Sequence, residues 1–131
     1  MMYSKETHSI RVTVTPRFLE DESMPGESHF VWIYHIKIEN VSKVSVQLLK
    51  RQWFITDGSG VTREVSGEGV IGEKPILDPG DVYEYTSGVP LSTPSGIMTG
   101  FYDMISEYEE EFQIEIPTFS LDSPFEFATV H

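Results

Sequence analysis

Three glycines in the stretch VSGEGVIGEKP, residues 65–75, fall in the spacing Gly67-x-Gly69-x-x-Gly72, with Lys74 close behind. In dinucleotide-binding turns this spacing lets the backbone approach a pyrophosphate, and the helix that follows points its free N–H groups at the phosphates. Here no helix can follow. Pro75 and the run Asp78-Pro79-Gly80 arrive within a few residues and turn the chain again. Glu64, Glu68 and Glu73 surround the one cation, Lys74, so the local charge also disfavours a polyanion. The dinucleotide meaning is excluded. Consecutive backbone N–H groups can still cradle an anion without a helix. Gly67, Gly69, Gly72 and Lys74 therefore form a candidate anion or pyrophosphate loop, weighed against the stronger structural reading in which the glycines supply positive φ between two strands.

A second group with chemical potential is acidic. Glu107, Glu109, Glu110 and Glu111 could gather Mg²⁺ or Co²⁺ loosely or meet a basic partner, but they lack the ligand pattern of an EF-hand, and a solvated acidic turn is the stronger reading. The histidines do not help. His29 and His35 on one strand would stand about 20 Å apart at roughly 3.3 Å per residue, too far to share an ion. No Gly-x-Ser-x-Gly elbow is present, and nothing couples a serine to a histidine and a carboxylate. No catalytic residue, metal ligand set or cofactor is assigned.

Cysteine is absent from the 131 residues, which excludes disulfides and thiolate chemistry and makes the cytoplasm the expected location. The N-terminus has no apolar signal-like run, and the longest charge-free stretch, residues 85–102, is broken by Gly88, Pro90, Pro94, Gly96 and Gly100, so a soluble protein is expected. The net charge of −12 is unevenly spread: all nine Lys and Arg lie at or before Lys74 beside ten Asp and Glu, whereas the remaining residues carry eleven Asp and Glu and no Lys or Arg. Such a field repels nucleic acid and anionic membranes and favours a basic protein surface or cations.

Short apolar alternation broken by turns dominates the chain. Strands are expected over residues 9–18, 29–40, 44–56, 61–65, 82–87, 95–105 and 112–119, with the clearest pattern at Phe30, Trp32, Tyr34, Ile36 and Ile38. Residues 103–111 hold the one helical option, which the strand pattern outweighs. Length and pattern together predict a single domain over 1–131, an all-β antiparallel sandwich of about seven strands. The large aromatics, Phe101 and Tyr102 among them, are mostly expected in its core. Phe125 and Phe127 alternate past Leu121, so the tail either extends its own sheet or contacts a neighbouring subunit or partner.

Four blocks, VQLLKRQWFITDGSG (46–60), VSGEGVIGEKPILDPG (65–80), YEYTSGVPLSTPSGIMTGFYDM (83–104) and IPTFSL (116–121), resemble the ApaG family in order and spacing over nearly the whole chain. The resemblance implies an immunoglobulin-like or fibronectin type III-like sandwich. Bacterial members of that family are named for a gene neighbour that hydrolyses diadenosine polyphosphates and have been linked to cobalt and magnesium resistance, without established catalytic residues. Eukaryotic relatives attach the domain to F-box adaptors and to a DNA polymerase delta-interacting protein, which implies protein binding. Two departures stand out: Gln52 replaces a common His before Trp53, and residues 106–111 replace a shorter turn. The expectation is a noncatalytic module recognising a protein with a basic surface, compatible with a homo-oligomer. The alternative is a small-ligand module for pyrophosphate, a nucleotide or a divalent cation.

Overall fold

The strict alternation over residues 30–40 builds one half of the core. Phe30, Trp32, Tyr34, Ile36, Ile38 and Asn40 are all buried and the residues between them are only partly so, as expected of a strand with one face on a packed interior. The computed structural model describes residues 1–125. It comprises β1 (Tyr3–Thr7), β2 (Ile10–Phe18), a short 3-10 turn at Pro25–Glu27, β3 (Phe30–Asn40), β4 (Val46–Asp57), β5 (Thr62–Glu68), β6 (Ile76–Leu77), β7 (Val82–Leu91), β8 (Gly96–Ser106) and β9 (Glu111–Leu121). The smaller sheet runs β1-β2-β3-β7 and the larger β5-β4-β8-β9, with β6 also on β4, and every pairing is antiparallel. This is an all-β sandwich. No helix among the described residues is long and apolar enough to cross a membrane.

The described residues form nine strands against the expected seven or so. β1 carries no apolar alternation and is held by its pairing with β2 and by Lys5, whose ammonium lies 2.6 Å from the Glu115 carboxylate on β9. β6 is two residues long and takes its place from β4. Residues 103–111 are strand, turn and strand. The sheets meet through Trp32, Leu48, Met98, Tyr102, Ile114 and Phe119, all essentially without solvent contact. Aromatic rings pack across the gap, Tyr34 of the smaller sheet against Trp53 at 5.2 Å and against Phe119 at 5.9 Å. Tyr85 of the smaller sheet and Tyr102 of the larger join their hydroxyls by a buried hydrogen bond.

Among the described residues Asn40 is the one fully enclosed polar side chain, at the end of this core, and all its capacity is used. Its amide donates to Val44 O at 2.8 Å and Leu77 O at 2.9 Å, while its carbonyl oxygen accepts from the backbone N–H of Ser42 at 2.9 Å and from the Ser42 hydroxyl at 2.6 Å. One residue therefore fastens the β3–β4 turn and β6. Replacing it with alanine strands several of these groups, and Asn40→Ala should lower the unfolding free energy by roughly 2–4 kcal/mol. Urea denaturation checks this; a loss below about 1 kcal/mol would show that water replaces the amide.

Candidate functional site

The glycine stretch lies where β4 exchanges one edge partner for another. β5 pairs with residues 50–56 of β4 and β6 with Val46 and Gln47, so the chain must leave the edge between them. It does so through a hairpin of its own. Val70 N–H donates to Glu73 O at 2.8 Å and Glu73 N–H to Val70 O at 2.9 Å, closing a two-residue turn at Ile71 and Gly72 with φ of 43° and 79°. Both values are left-handed, as this class of hairpin turn demands; glycine accepts that freely, whereas exposed Ile71 adopts it under strain. The glycines join β elements, in agreement with the sequence.

Each glycine has a separate reason. At Gly69, φ is 62° and a Cβ would stand 2.2 Å from Glu73 O. Gly67 makes room for packing: the Arg51 guanidinium lies where a side chain would begin, 2.8 Å from the Cβ position. From there Arg51 Nη1 donates to Glu68 O at 3.2 Å and Gly69 O at 2.8 Å. The N–H of Gly69 is bonded to Leu49 O, so the N–H groups of Gly69, Val70 and Glu73 all meet backbone carbonyls. Lys74 Nζ stands 3.8 Å from Glu68 Oε2. The loop's donors and its cation are thus largely engaged within the chain.

Gly69→Ala should cost about 2 kcal/mol through backbone clash, against about 1 kcal/mol for Gly72→Ala, where a Cβ meets open space and only φ is strained. Thermal unfolding of the two variants checks the order, and equal or reversed losses would contradict it.

Tyr83 closes the loop from the smaller sheet, its hydroxyl donating to Glu73 Oε2 at 2.6 Å. Burial, followed by the Glu73 carboxylate, pushes this phenol up to about 12. Burial likewise raises Tyr85 and Tyr102, with the Arg51 charge acting in the opposite direction. The unfolded chain releases these protons near pH 10 while the folded chain keeps them, so stability should be full below pH 10 and fall as pH rises toward 12. Tyr83→Phe should lessen the fall. Denaturation midpoints at rising pH read it, and a variant whose alkaline loss equals the parent's would remove Tyr83 from the account.

The outward face of the larger sheet is the most unusual surface. Registered across it, Glu64 and Phe54 stand beside Thr99; Ser66 and Gln52 beside Phe101 and Glu115; Glu68 and Lys50 beside Asp103 and Gln113. Phe54 and Phe101 are half-buried, with ring centroids 6.3 Å apart. Exposed Ile97 and Ile76 and half-buried Ile105 extend the apolar area. A trough of about 480 Å³ lined by Gln52, Ser66, Phe101, Asp103 and Gln113 adjoins a second of about 300 Å³ that reaches Leu49 and Glu111. Phe101 is therefore on the outside, contrary to expectation. Both parities of β8 are apolar, so alternation alone could not say which faces in.

The acidic loop is divided. Glu107 Oε1 accepts the Ser45 N–H at 2.9 Å, Glu109 and Glu110 are exposed, and Glu111 turns onto the trough. Among the described residues no three His, Asp or Glu side chains converge as a metal site. Phe125 packs on its own chain, with ring centroids 6.0 Å from both Phe18 and Phe30; Phe127 lies outside the described residues.

Fold, hairpin and face define an acidic antiparallel β-sandwich with a glycine turn built into one edge. The family model for the ApaG domain matches residues 20–106. The chain is 58% identical over 125 residues to Protein ApaG of Paramagnetospirillum magneticum, covering 95% of this chain and 96% of that one. It is 54% identical over 123 residues to Protein ApaG of Rhodospirillum centenum, covering 94% and 95%. The crystal structure of an ApaA protein from Bordetella pertussis superposes with a TM-score of 0.87 at 39% identity, over 91% of this chain and 97% of that one. The chain belongs to the ApaG family.

Proposed function

We propose that this chain is a noncatalytic recognition module of the immunoglobulin-like or fibronectin type III-like kind. It acts in the cytoplasm and binds a protein with a basic surface through the outward face of the larger sheet. The observation that carries the reading is the contrast between the two outward faces. The smaller sheet presents Thr13, Thr15, His35, Lys37, Glu84 and Thr86 across its middle, with aliphatic Val31, Ile33 and Val82 toward its ends and no Phe, Tyr or Trp among its described outward residues. The larger presents Phe54, Phe101, Ile97 and Ile105 with carboxylates around them. An apolar centre with a polar rim is the anatomy of a protein interface. Any tie to cobalt or magnesium resistance would run through the partner, since no metal site is part of this reading.

The test compares capture by the parent chain with capture by a Phe54→Ser, Phe101→Ser double variant of unchanged melting behaviour. The parent should retain basic proteins that the variant loses. An identical retained set would overturn the reading. Heat of pyrophosphate or Co²⁺ binding that disappears in Gly69→Ala would favour the small-ligand alternative.

A further inference from the structure

Within the outward face, the residues of the trough are arranged for one kind of side chain. Phe101 and Asp103 are alternate residues of β8, so they share the face about 7 Å apart. Gln52 stands opposite Phe101 on β4 and Gln113 opposite Asp103 on β9, placing an amide beside each. Asp103 is half-buried, and among the described residues its carboxylate has no ion pair. Lys50 is directly across from it in register but is equally opposite Glu68 and bonds to neither; Glu68 has Lys74 instead.

We propose that this trough seats an arginine side chain of the partner, its guanidinium lying on the Phe101 ring and paired with the Asp103 carboxylate. The assignment rests on the recognition reading above and gives it a chemical anchor. A guanidinium is flat, stacks on an aromatic face and offers a fork of N–H donors to a carboxylate, with donors left over for the Gln52 and Gln113 amide oxygens. An ammonium can approach the ring and the carboxylate only as a compact, strongly hydrated point charge, without the flat stack or the two-pronged fork. Charge selects against other occupants. Glu64, Glu68, Asp103, Glu111 and Glu115 stand against Lys50 on the face and against Lys5 and Lys74 at its margins, beside Glu115 and Glu68, so five negative charges meet three positive, a net of −2. A second copy would bring the same surplus of carboxylates and be repelled, and an anionic ligand would meet the same field. A metal ion lacks a set of three converging ligands among the described residues.

The probes are two short peptides of equal length and charge, one carrying two arginines and the other two lysines. Each is titrated at physiological ionic strength into the isotopically labelled full chain and followed by amide chemical shifts. The arginine peptide should move the amides of Gln52, Phe101, Asp103 and Gln113 and bind on the order of tenfold tighter than the lysine peptide. Asp103→Asn should abolish that preference, and Phe101→Leu, which keeps the apolar volume but removes the ring, should reduce it. Both variants must keep the parent's dispersed spectrum. Equal affinity for the two peptides, shifts confined to residues 107–111, or no binding at millimolar peptide would overturn the arginine seat. The two readings fail separately. Protein capture that depends on Phe54 and Phe101 but ignores Asp103→Asn leaves recognition standing and removes the arginine. An arginine preference without any captured protein does the reverse.

Discussion

The edge of the larger sheet depends on one guanidinium laid against a residue that has no side chain. Half-buried Arg51 shares the inward face of β4 with Trp53 and stands opposite Tyr102 in register. Gly67 opens the way, and the carbonyls of Glu68 and Gly69 supply acceptors at the place where β5 ends. These carbonyls are the ones that the chain exposes as it leaves the β4 ladder, so a single side chain satisfies a break in the sheet that backbone pairing cannot. The same charge offsets part of the rise that burial imposes on the phenols of Tyr34, Tyr85 and Tyr102. A positively charged wedge and a set of phenols thus make a polar seam within an otherwise apolar interior.

The outward trough is shaped by two irregularities in the same sheet. The β4–β8 register shifts between Leu48 and Lys50, and the β8–β9 register shifts between Met98 and Gly100. Extra residues of this kind bend the strand and increase its twist. At Gly100 the backbones of β4 and β8 approach so closely that a Cβ would stand 2.1 Å from Gln52 O. Gln52, Phe101 and Asp103 lie next to this constriction and line the outward hollow.

Much of this was legible in the order of residues. β3 announced itself because its apolar residues recur at every second position, and Pro75 with Pro79 ruled out a helix after the glycines. What was not legible depends on contacts distant in the chain. β1 reads as polar loop until Lys5 meets Glu115. β6 is too short for any period and is fixed by β4 and by the Asn40 amide. The space that Gly67 leaves is taken by Arg51, which nothing local reveals. Phe101 and Tyr102 are neighbours of similar size, and only the pairing of β8 with β4 and β9 decides that the phenol goes in and the phenyl out.

The charge asymmetry along the chain becomes an asymmetry between faces because of strand order. All the cations precede residue 75, so β8 and β9 have none to contribute. Had those strands paired with β2 or β3, Arg11, Arg17 and Lys37 would have been their neighbours and the charges would have cancelled locally. They pair instead with β4, whose outward residues include a single cation, Lys50. The smaller sheet keeps its own balance, Arg11 with Glu6 and Glu39, and Lys37 with Glu39. Topology thus gathers the surplus carboxylates onto the face that also exposes Phe54 and Phe101. A cationic partner is drawn to that face by the field before any apolar contact forms, and it arrives already oriented toward the trough.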